Sequence, residues 1–279
     1  MKFEGGAQMT DKGMITEGIK RGYNIYVLTP ENSEKLAVHD QDFFIVSNCR
    51  NFDRKVVANL SKNNVKYAYY HHDTFCLYRL FFPWTSKCLT RCPEFAYWNA
   101  VFRGAKLNIF LSPLHWQMHS EAFGDSIEPH VKVPSAIDVT KFYDKKEPRD
   151  QDTTSINTLI DFKGRDEVLG YARDHPDQKF EFAGEGTDVE LPPNCSYKGP
   201  VIYTKLNDFL NKYRNYVELP RNPQPFNRSC AEAYLAGCKV TGNKLLGALT
   251  WDWFTSRDSV REHIASAPSE FWAAIEDVM

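Results

Sequence analysis

At roughly 100–200 residues per domain, a chain of 279 residues has room for two compact domains or one large one. Hydrophobic residues make up 42% and charged residues 25%, enough to bury a real core, which excludes long disorder and fibrous architectures. A formal net charge of −2 excludes a whole-molecule positive field that would draw any nucleic acid to the surface. Cysteines number seven, an odd count, in a chain too long to be a disulfide-stapled mini-domain. Lys2, Glu4, Asp11 and Lys12 interrupt the start, so no secretory leader is expected. Apolar runs such as Ile109–Leu111, or Tyr78–Trp84 with its Arg79, fall short of the roughly 20 residues of a membrane span. The expected setting is cytoplasmic and reducing, with thiols free or metal-bound.

Short β-branched or aromatic runs alternate with helix-like stretches, the pattern of a parallel sheet with crossover helices. In the first half the expected strands are Asn24–Leu28, Phe43–Val46, Lys66–Tyr70, Asn108–Leu111 and His130–Val133, punctuated by Thr29-Pro30, Ser47-Asn48, Ser112-Pro113 and Pro134. Helices are expected from Ala7 to Lys20, Asp53 to Ser61 and Pro113 to Phe123. The run from Phe142 to Ser155 is polar and lacks apolar periodicity, so it reads as a linker. Beyond it the expected order is strand Ile156–Ile160, helix Arg165–Asp174, strands Lys179–Ala183 and Asn194–Tyr197, helix Thr204–Tyr213, strand Tyr216–Leu219, helix Asn227–Ala236 and strand Lys239–Thr241. Ser266 and Pro268 look like the start of a last helix. Domains are therefore expected at 1–145 and 146–265, with a C-terminal helix, 266–279, able to cross back to the first. Residues 1–145 carry 18 basic against 15 acidic side chains and residues 146–279 carry 16 against 21. The first half could thus face an anionic acceptor.

The sharpest motif is Pro223-Gln-Pro-Phe-Asn-Arg-Ser-Cys-Ala-Glu-Ala-Tyr-Leu-Ala-Gly-Cys-Lys-Val240. It reads as a strand ending in a Pro-rich turn that runs straight into a helix. Such an N-terminus holds phosphate through unpaired amides and the helix dipole. Glu232, about one and a half turns in, could accept hydroxyl hydrogen bonds from a ribose beside a diphosphate.

This segment resembles the sugar-nucleotide site of retaining glycosyltransferases of the large family four group, which have the two-domain GT-B fold. The family pattern is Glu-Pro-Phe-Gly followed by Glu-Ala, the two acids eight positions apart. Gln224-Pro225-Phe226-Asn227 and Glu232-Ala233 occupy those places. Other pieces follow in the family's order. Gly5-Gly6-Ala7-Gln8 is similar to the first-domain glycine loop, His72-Asp73 to the histidine closing a mid-domain strand, and Val133–Phe142 to the stretch before the hinge. Lys163-Gly164 resembles the lysine-glycine that grips the donor diphosphate, and Lys198-Gly-Pro-Val201 the turn against which the base packs.

The resemblance implies an α/β protein of two Rossmann-like αβα domains facing across a cleft. It would be a hexosyl- or pentosyltransferase that takes a nucleotide sugar, needs no further cofactor and retains anomeric configuration. Breaking the sugar–phosphate bond leaves negative charge on the diphosphate, so cationic groups and helix amides there should dominate catalysis. The candidates are Lys163, Arg165 and the amides of Asn227, Arg228 and Ser229, with Gly5, Gly6, Val201, Phe226 and Glu232 completing the donor set. His72 and Asp73 would handle the sugar or the acceptor, and Gln224 stands where the family's first acid stands. The change from acid to amide bears on donor identity and on catalysis. The acceptor that the resemblance implies would be a glycan, a lipid or, as in some viruses and so in host cytoplasm, a hydroxymethylated DNA base; Arg79, Trp84 and Arg91 in the aromatic, basic stretch 75–98 are its expected contacts.

Each piece has a plainer alternative. Gly5-Gly6 alone is more often a turn, His72 a strand-end histidine bonded to backbone, Lys163 and Arg165 solvated charges, and Glu232 an exposed acid. The aromatic stretch could be the packed underside of a loop. His72, Cys76, Cys88 and Cys92 have soft-ligand chemistry for zinc, without the usual two-residue spacing. Two other functions stay open: a catalytically silent nucleotide-sugar or glycan binding module, suggested by Gln224, and a GT-B sugar-nucleotide epimerase.

Overall fold

A computed structural model describes residues 5–29, 42–47, 57, 60, 65–73, 90–91, 93–156, 159–184 and 189–279. The chain divides into two compact units. The first holds the described residues up to Ile137 together with Ala265–Met279, and the second holds Asp138–Ile264.

Helix α1, Gly6–Lys20, opens the first unit and buries Thr10, Met14 and Gly18, a four-residue spacing that lines one helical face. It ends where Gly22 adopts φ +91°. The amide of Tyr23 then donates to the Gly18 carbonyl and that of Gly22 to Ile19, which satisfies the last carbonyls in a Schellman turn. The sheet is parallel throughout, in the order β1 (Phe44–Ser47), β2 (Tyr67–Tyr70), β3 (Leu107–Phe110), β4 (His130–Lys132). Every residue of β2 and β3 is buried, as expected of inner strands covered on both faces. Helix α2, Phe95–Gly104, buries Trp98, Val101 and Phe102. Helix α3, Pro113–Phe123, starts under a Ser112 cap whose hydroxyl accepts from the His115 amide, with Pro113 in its first turn.

The second sheet is also parallel, in the order β7-β6-β5-β8-β9: β5 (Gln151–Ile156), β6 (Phe180–Ala183), β7 (Cys195–Gly199), β8 (Tyr213–Glu218) and β9 (Lys239–Gly242). Helices α4 (Arg165–Asp174), α5 (Leu206–Leu210) and α6 (Arg228–Leu235) belong to it. One side of its core is Leu159, Val168, Leu169, Ala172, Phe180, Phe182 and Val217. Helix α7, Arg257–Glu276, closes the chain. Within the first unit, its Trp272 stacks on Tyr23 at 4.7 Å and donates to the Met14 carbonyl at 2.7 Å. A Cβ at Gly18 would lie 2.2 Å from the Trp272 ring, so the contact requires glycine.

Four expectations change. Asn24–Leu28 carries no strand, and Tyr26 and Val27 are exposed. An apolar run makes a strand only where it has a ladder and a face to bury. The polar stretch expected as linker contains β5, the central strand, which ends at Ile156 where the strand Ile156–Ile160 was expected to begin: Thr153, Thr154 and Ser155 are buried, and Thr154 Oγ1 donates to the Glu181 carbonyl at 2.8 Å. Tyr213, expected to end a helix, begins β8. The last helix starts at Arg257, where the Ser256 hydroxyl accepts from the Ser259 amide at 3.2 Å, and Pro268 lies inside it. Burial of Val260, Ile264, Ala267, Phe271 and Ile275 along one face outweighs the hydrogen bond that the proline forfeits. The expected helix from Asp53 to Ser61 falls largely outside the described residues.

Three histidines of the first unit, His71, His115 and His119, are fully buried. His119 Nδ1 donates to the His115 carbonyl at 2.9 Å, and His71 Nε2 pairs with Asn108 Oδ1 at 3.0 Å. Burial holds all three well below the usual imidazole range, His119 at about 4. In the unfolded chain they titrate near ~6.5. As pH falls from there toward about 4, the unfolded state binds more protons than the native one, and native stability declines. Urea unfolding at fixed pH between 7 and 4 should show a loss of up to about 1.4 kcal/mol per pH unit for each such group. His119→Phe should flatten that slope.

Candidate functional site

In the second sheet, β5 through β7 run outward in one direction and β8 and β9 lie on the other side of β5. The order therefore reverses between β5 and β8, and the crevice beyond the carboxyl ends of two such strands is where open α/β sheets bind ligands. Lys163, Gly164 and Arg165 follow β5, and Pro223 through Glu232 follow β8. Two motifs 60 residues apart in the chain thus meet at one edge of the sheet.

Their meeting is a backbone contact. Gly164 adopts φ +85° and caps α4, and a Cβ on it would lie 1.8 Å from the Leu219 carbonyl oxygen and 2.9 Å from Pro220 Cα. Both the left-handed conformation and the close approach exclude a side chain. Arg221 straps the two loops together, with Nη1 donating to Asp161 Oδ1 at 2.7 Å and Nε to Glu167 Oε1 at 3.0 Å. On the other flank the loop pairs with the segment after β9: Gln224 and Leu246 form a parallel bridge, and the Ala248 amide donates to the Phe226 carbonyl at 2.7 Å.

Asn227 takes the left-handed conformation at φ 69°, which asparagine tolerates, and its Oδ1 accepts from the Cys230 amide at 2.9 Å, capping α6. Asn227 thereby performs both the turn and the cap. Glu232, 3% exposed, faces two partners: Tyr203 donates to its Oε1 at 3.1 Å and Arg228 Nη2 at 3.2 Å, while Arg228 Nη2 also donates to the Tyr203 oxygen at 3.2 Å. Burial raises the Glu232 carboxyl above the usual range, opposed by the charge of Arg228 and by both hydrogen bonds. Glu232 is thus an enclosed acid with built partners, which its place on a helix did not reveal.

Lys163 and Ser229 are half-buried at the same edge. Arg165 also lies there, pairing with Asp166 at 2.9 Å. Gln224 is half-buried, its amide nitrogen donating to the Asn222 carbonyl at 3.1 Å. Val201 is half-buried in the turn after β7. Phe226, expected among the donor contacts, is 2% exposed. Its ring anchors the loop in the core. Arg221 and Tyr203 were not anticipated; a cation between the end of a strand and the start of the motif was the available signal for the first.

In the first unit, Gly5 caps α1 and with Gly6 is exposed. His72, its side chain 4% exposed, places Nε2 2.8 Å from Asp11 Oδ1, and the same oxygen accepts from Ser47 Oγ at 2.7 Å. Asp11 thus joins the start of α1 to the carboxyl ends of β1 and β2, a partnership sequence spacing did not indicate. Asp73 is exposed, and its carbonyl accepts from His115 Nε2 at 3.2 Å. Arg91 is exposed. Trp98, at the end of the aromatic stretch, lies in the core on α2, the plainer of its two readings. Arg79, Trp84, Cys76, Cys88 and Cys92 lie outside the described residues. Among the described residues no helix is long and apolar enough to cross a membrane.

No protein-family model and no curated protein matches the chain. Solved structures do. A trehalose-6-phosphate synthase, studied for glycosyl transfer with retention, superposes with a TM-score of 0.64 at 11% identity, over 100% of this chain and 81% of that one. Sucrose-phosphate synthase from Thermosynechococcus elongatus gives 0.57 at 13% identity, over 79% and 62%. Anabaena HepE, in complex with UDP and glucose, gives 0.54 at 16% identity, over 85% and 70%. The fold is thus the α/β fold of GT-B glycosyltransferase structures, each unit a parallel Rossmann-like sheet with helices.

Gly164→Ala should destabilise the protein by at least about 1–3 kcal/mol, through backbone strain and the clash with Leu219. Gly170→Ala, in open space within α4, should instead add roughly 0.5–1 kcal/mol. Parallel urea unfolding of the two variants checks the pair, and equal effects would remove the special role of Gly164.

Proposed function

We propose that the protein is a nucleotide-sugar-dependent glycosyltransferase whose donor diphosphate binds in the second unit at the switch between β5 and β8. The observation that carries this reading is the convergence there of Lys163-Gly164-Arg165 with the capped start of α6, in a fold shared with sugar-nucleotide enzymes. A leaving diphosphate gains negative charge as the sugar–oxygen bond breaks. Lys163, Arg165 and the N-terminal dipole of α6 stabilise that charge as it forms, which lowers the barrier. The electron pair of the breaking bond goes to the phosphate oxygen, and an acceptor hydroxyl forms the new bond to the anomeric carbon. Its proton passes to the leaving phosphate, so no separate basic side chain is needed. Retention is part of this reading, supported by the likeness to the trehalose-6-phosphate synthase. Glu232 holds the ribose, while His72 and Asp73 in the first unit handle sugar or acceptor. The acceptor is a hydroxyl on a glycan, a lipid or a modified DNA base.

Gln224 supports a second reading, a binding module without turnover, because its side chain presents an amide tied to the Asn222 carbonyl where the family has an acid. The two readings separate on one measurement. Transfer or hydrolysis of a nucleotide sugar by the native chain, at a rate not raised by Gln224→Glu, eliminates the silent module.

A thermal-shift screen over nucleotide sugars should pick out one donor by stabilisation. Lys163→Ala and Glu232→Ala should each weaken that donor by more than about tenfold, as expected for loss of a charged hydrogen-bond partner. Unchanged affinity of both variants in calorimetry would refute the assigned site.

A further inference from the structure

Of the triangle formed by Tyr203, Arg228 and Glu232, Tyr203 lies outside the sequence motifs that pointed to the site, and its pairing with the other two is seen only in the fold. Its three sides are all hydrogen bonds of 3.1–3.2 Å, and both of those that reach the carboxylate end on Oε1. A carboxylate oxygen that already accepts two donors has little capacity left for a third. Oε2 is the oxygen left to accept from a ligand. The ring of Tyr203 packs edge-on against Phe142 at 5.5 Å, which holds the hydroxyl in place, and Arg228 is one turn before Glu232 on α6, its side chain 10% exposed. The charged and titratable groups facing Glu232 are therefore Arg228 from its own helix and Tyr203 from the turn after β7.

We propose that Tyr203 and Arg228 are positioning residues that turn Glu232 Oε1 inward, so that a nucleoside diphosphate presents its ribose hydroxyls to Oε2 alone. This rests on the donor-site reading given above and adds the residues that aim its acid. Without them, a buried carboxylate would have to reorganise on binding, and each hydroxyl bond would be weaker by the cost of that ordering. Tyr203 acts through Glu232 and not on the nucleotide. Its effect should therefore disappear when the carboxylate is gone, a property that simple structural support does not share.

Calorimetry on the full chain with UDP, ADP and GDP identifies the best binder, which is then compared with its 2′,3′-dideoxy counterpart. The native protein should favour the ribose form by about tenfold or more, the worth of a hydroxyl bonded to a buried carboxylate. Tyr203→Phe, which keeps the ring on Phe142, should weaken the ribose form by about three- to tenfold and leave the dideoxy form within about twofold. In a Glu232→Gln background the same substitution should change affinity by less than about twofold. Arg228→Met should follow the same pattern, and it serves as the test if Tyr203→Phe does not fold. Equal losses for ribose and dideoxy forms, or equal losses with and without Glu232, overturn the positioning role while leaving the donor site in place. Failure of all three diphosphates to bind overturns both.

Discussion

The contact between Gly164 and the Leu219–Pro220 backbone is the constraint on which the second unit's site depends. The loops after β5 and β8 are held beside one another because their main chains come within van der Waals reach. A side chain at 164 would hold them apart. The Arg221 strap reinforces the arrangement, but Arg221, Asp161 and Glu167 are each about a third to a half exposed, and ion pairs in that setting contribute about 0–1 kcal/mol. Fit of the backbone, more than attraction between charges, therefore sets where Lys163 and the start of α6 come together.

Electrostatics matters more where water is excluded. Burial disfavours a charge on Glu232, and Arg228 with Tyr203 offsets part of that penalty. A paired buried acid adds little net stability, yet losing either side of the pair is expensive. Such an arrangement is better understood as a means of aiming one oxygen than as a source of fold stability. The first unit shows the same economy in another form: Asp11 Oδ1 accepts from Ser47 and engages His72 Nε2, so that one helix-borne acid sets the orientation of a side chain at the end of a neighbouring strand.

Much of the fold was legible in the chain. Strand and helix alternation located the parallel strands on either side of the polar stretch, and Ser112-Pro113 marked a helix start that the cap geometry explains. The polar stretch itself was misleading because strand recognition leans on apolar side chains, whereas Thr153 and Thr154 are buried with their hydroxyls hydrogen-bonded. Ser266-Pro268 was misleading for the opposite reason: a local start signal was overridden by a long apolar face. At the site, the residue types of the Pro223–Glu232 motif were readable. Tyr203, Arg221 and Asp11 were not, because each acts on a partner at least 29 residues away in the chain. Only folding brings such pairs together.

The hydroxyl-rich central strand also decides how the second sheet is threaded. An apolar strand buried on both faces can slide by two residues and still hide its side chains. Here the Thr153 hydroxyl donates to the Gln178 side chain at 3.2 Å, a partner that does not repeat along the neighbouring segment, so a slip leaves that buried hydroxyl without it. Polar pairing thus acts as an alignment key between β5 and β6. The same composition makes the segment a poor seed for cross-β association while the chain is still unfolded.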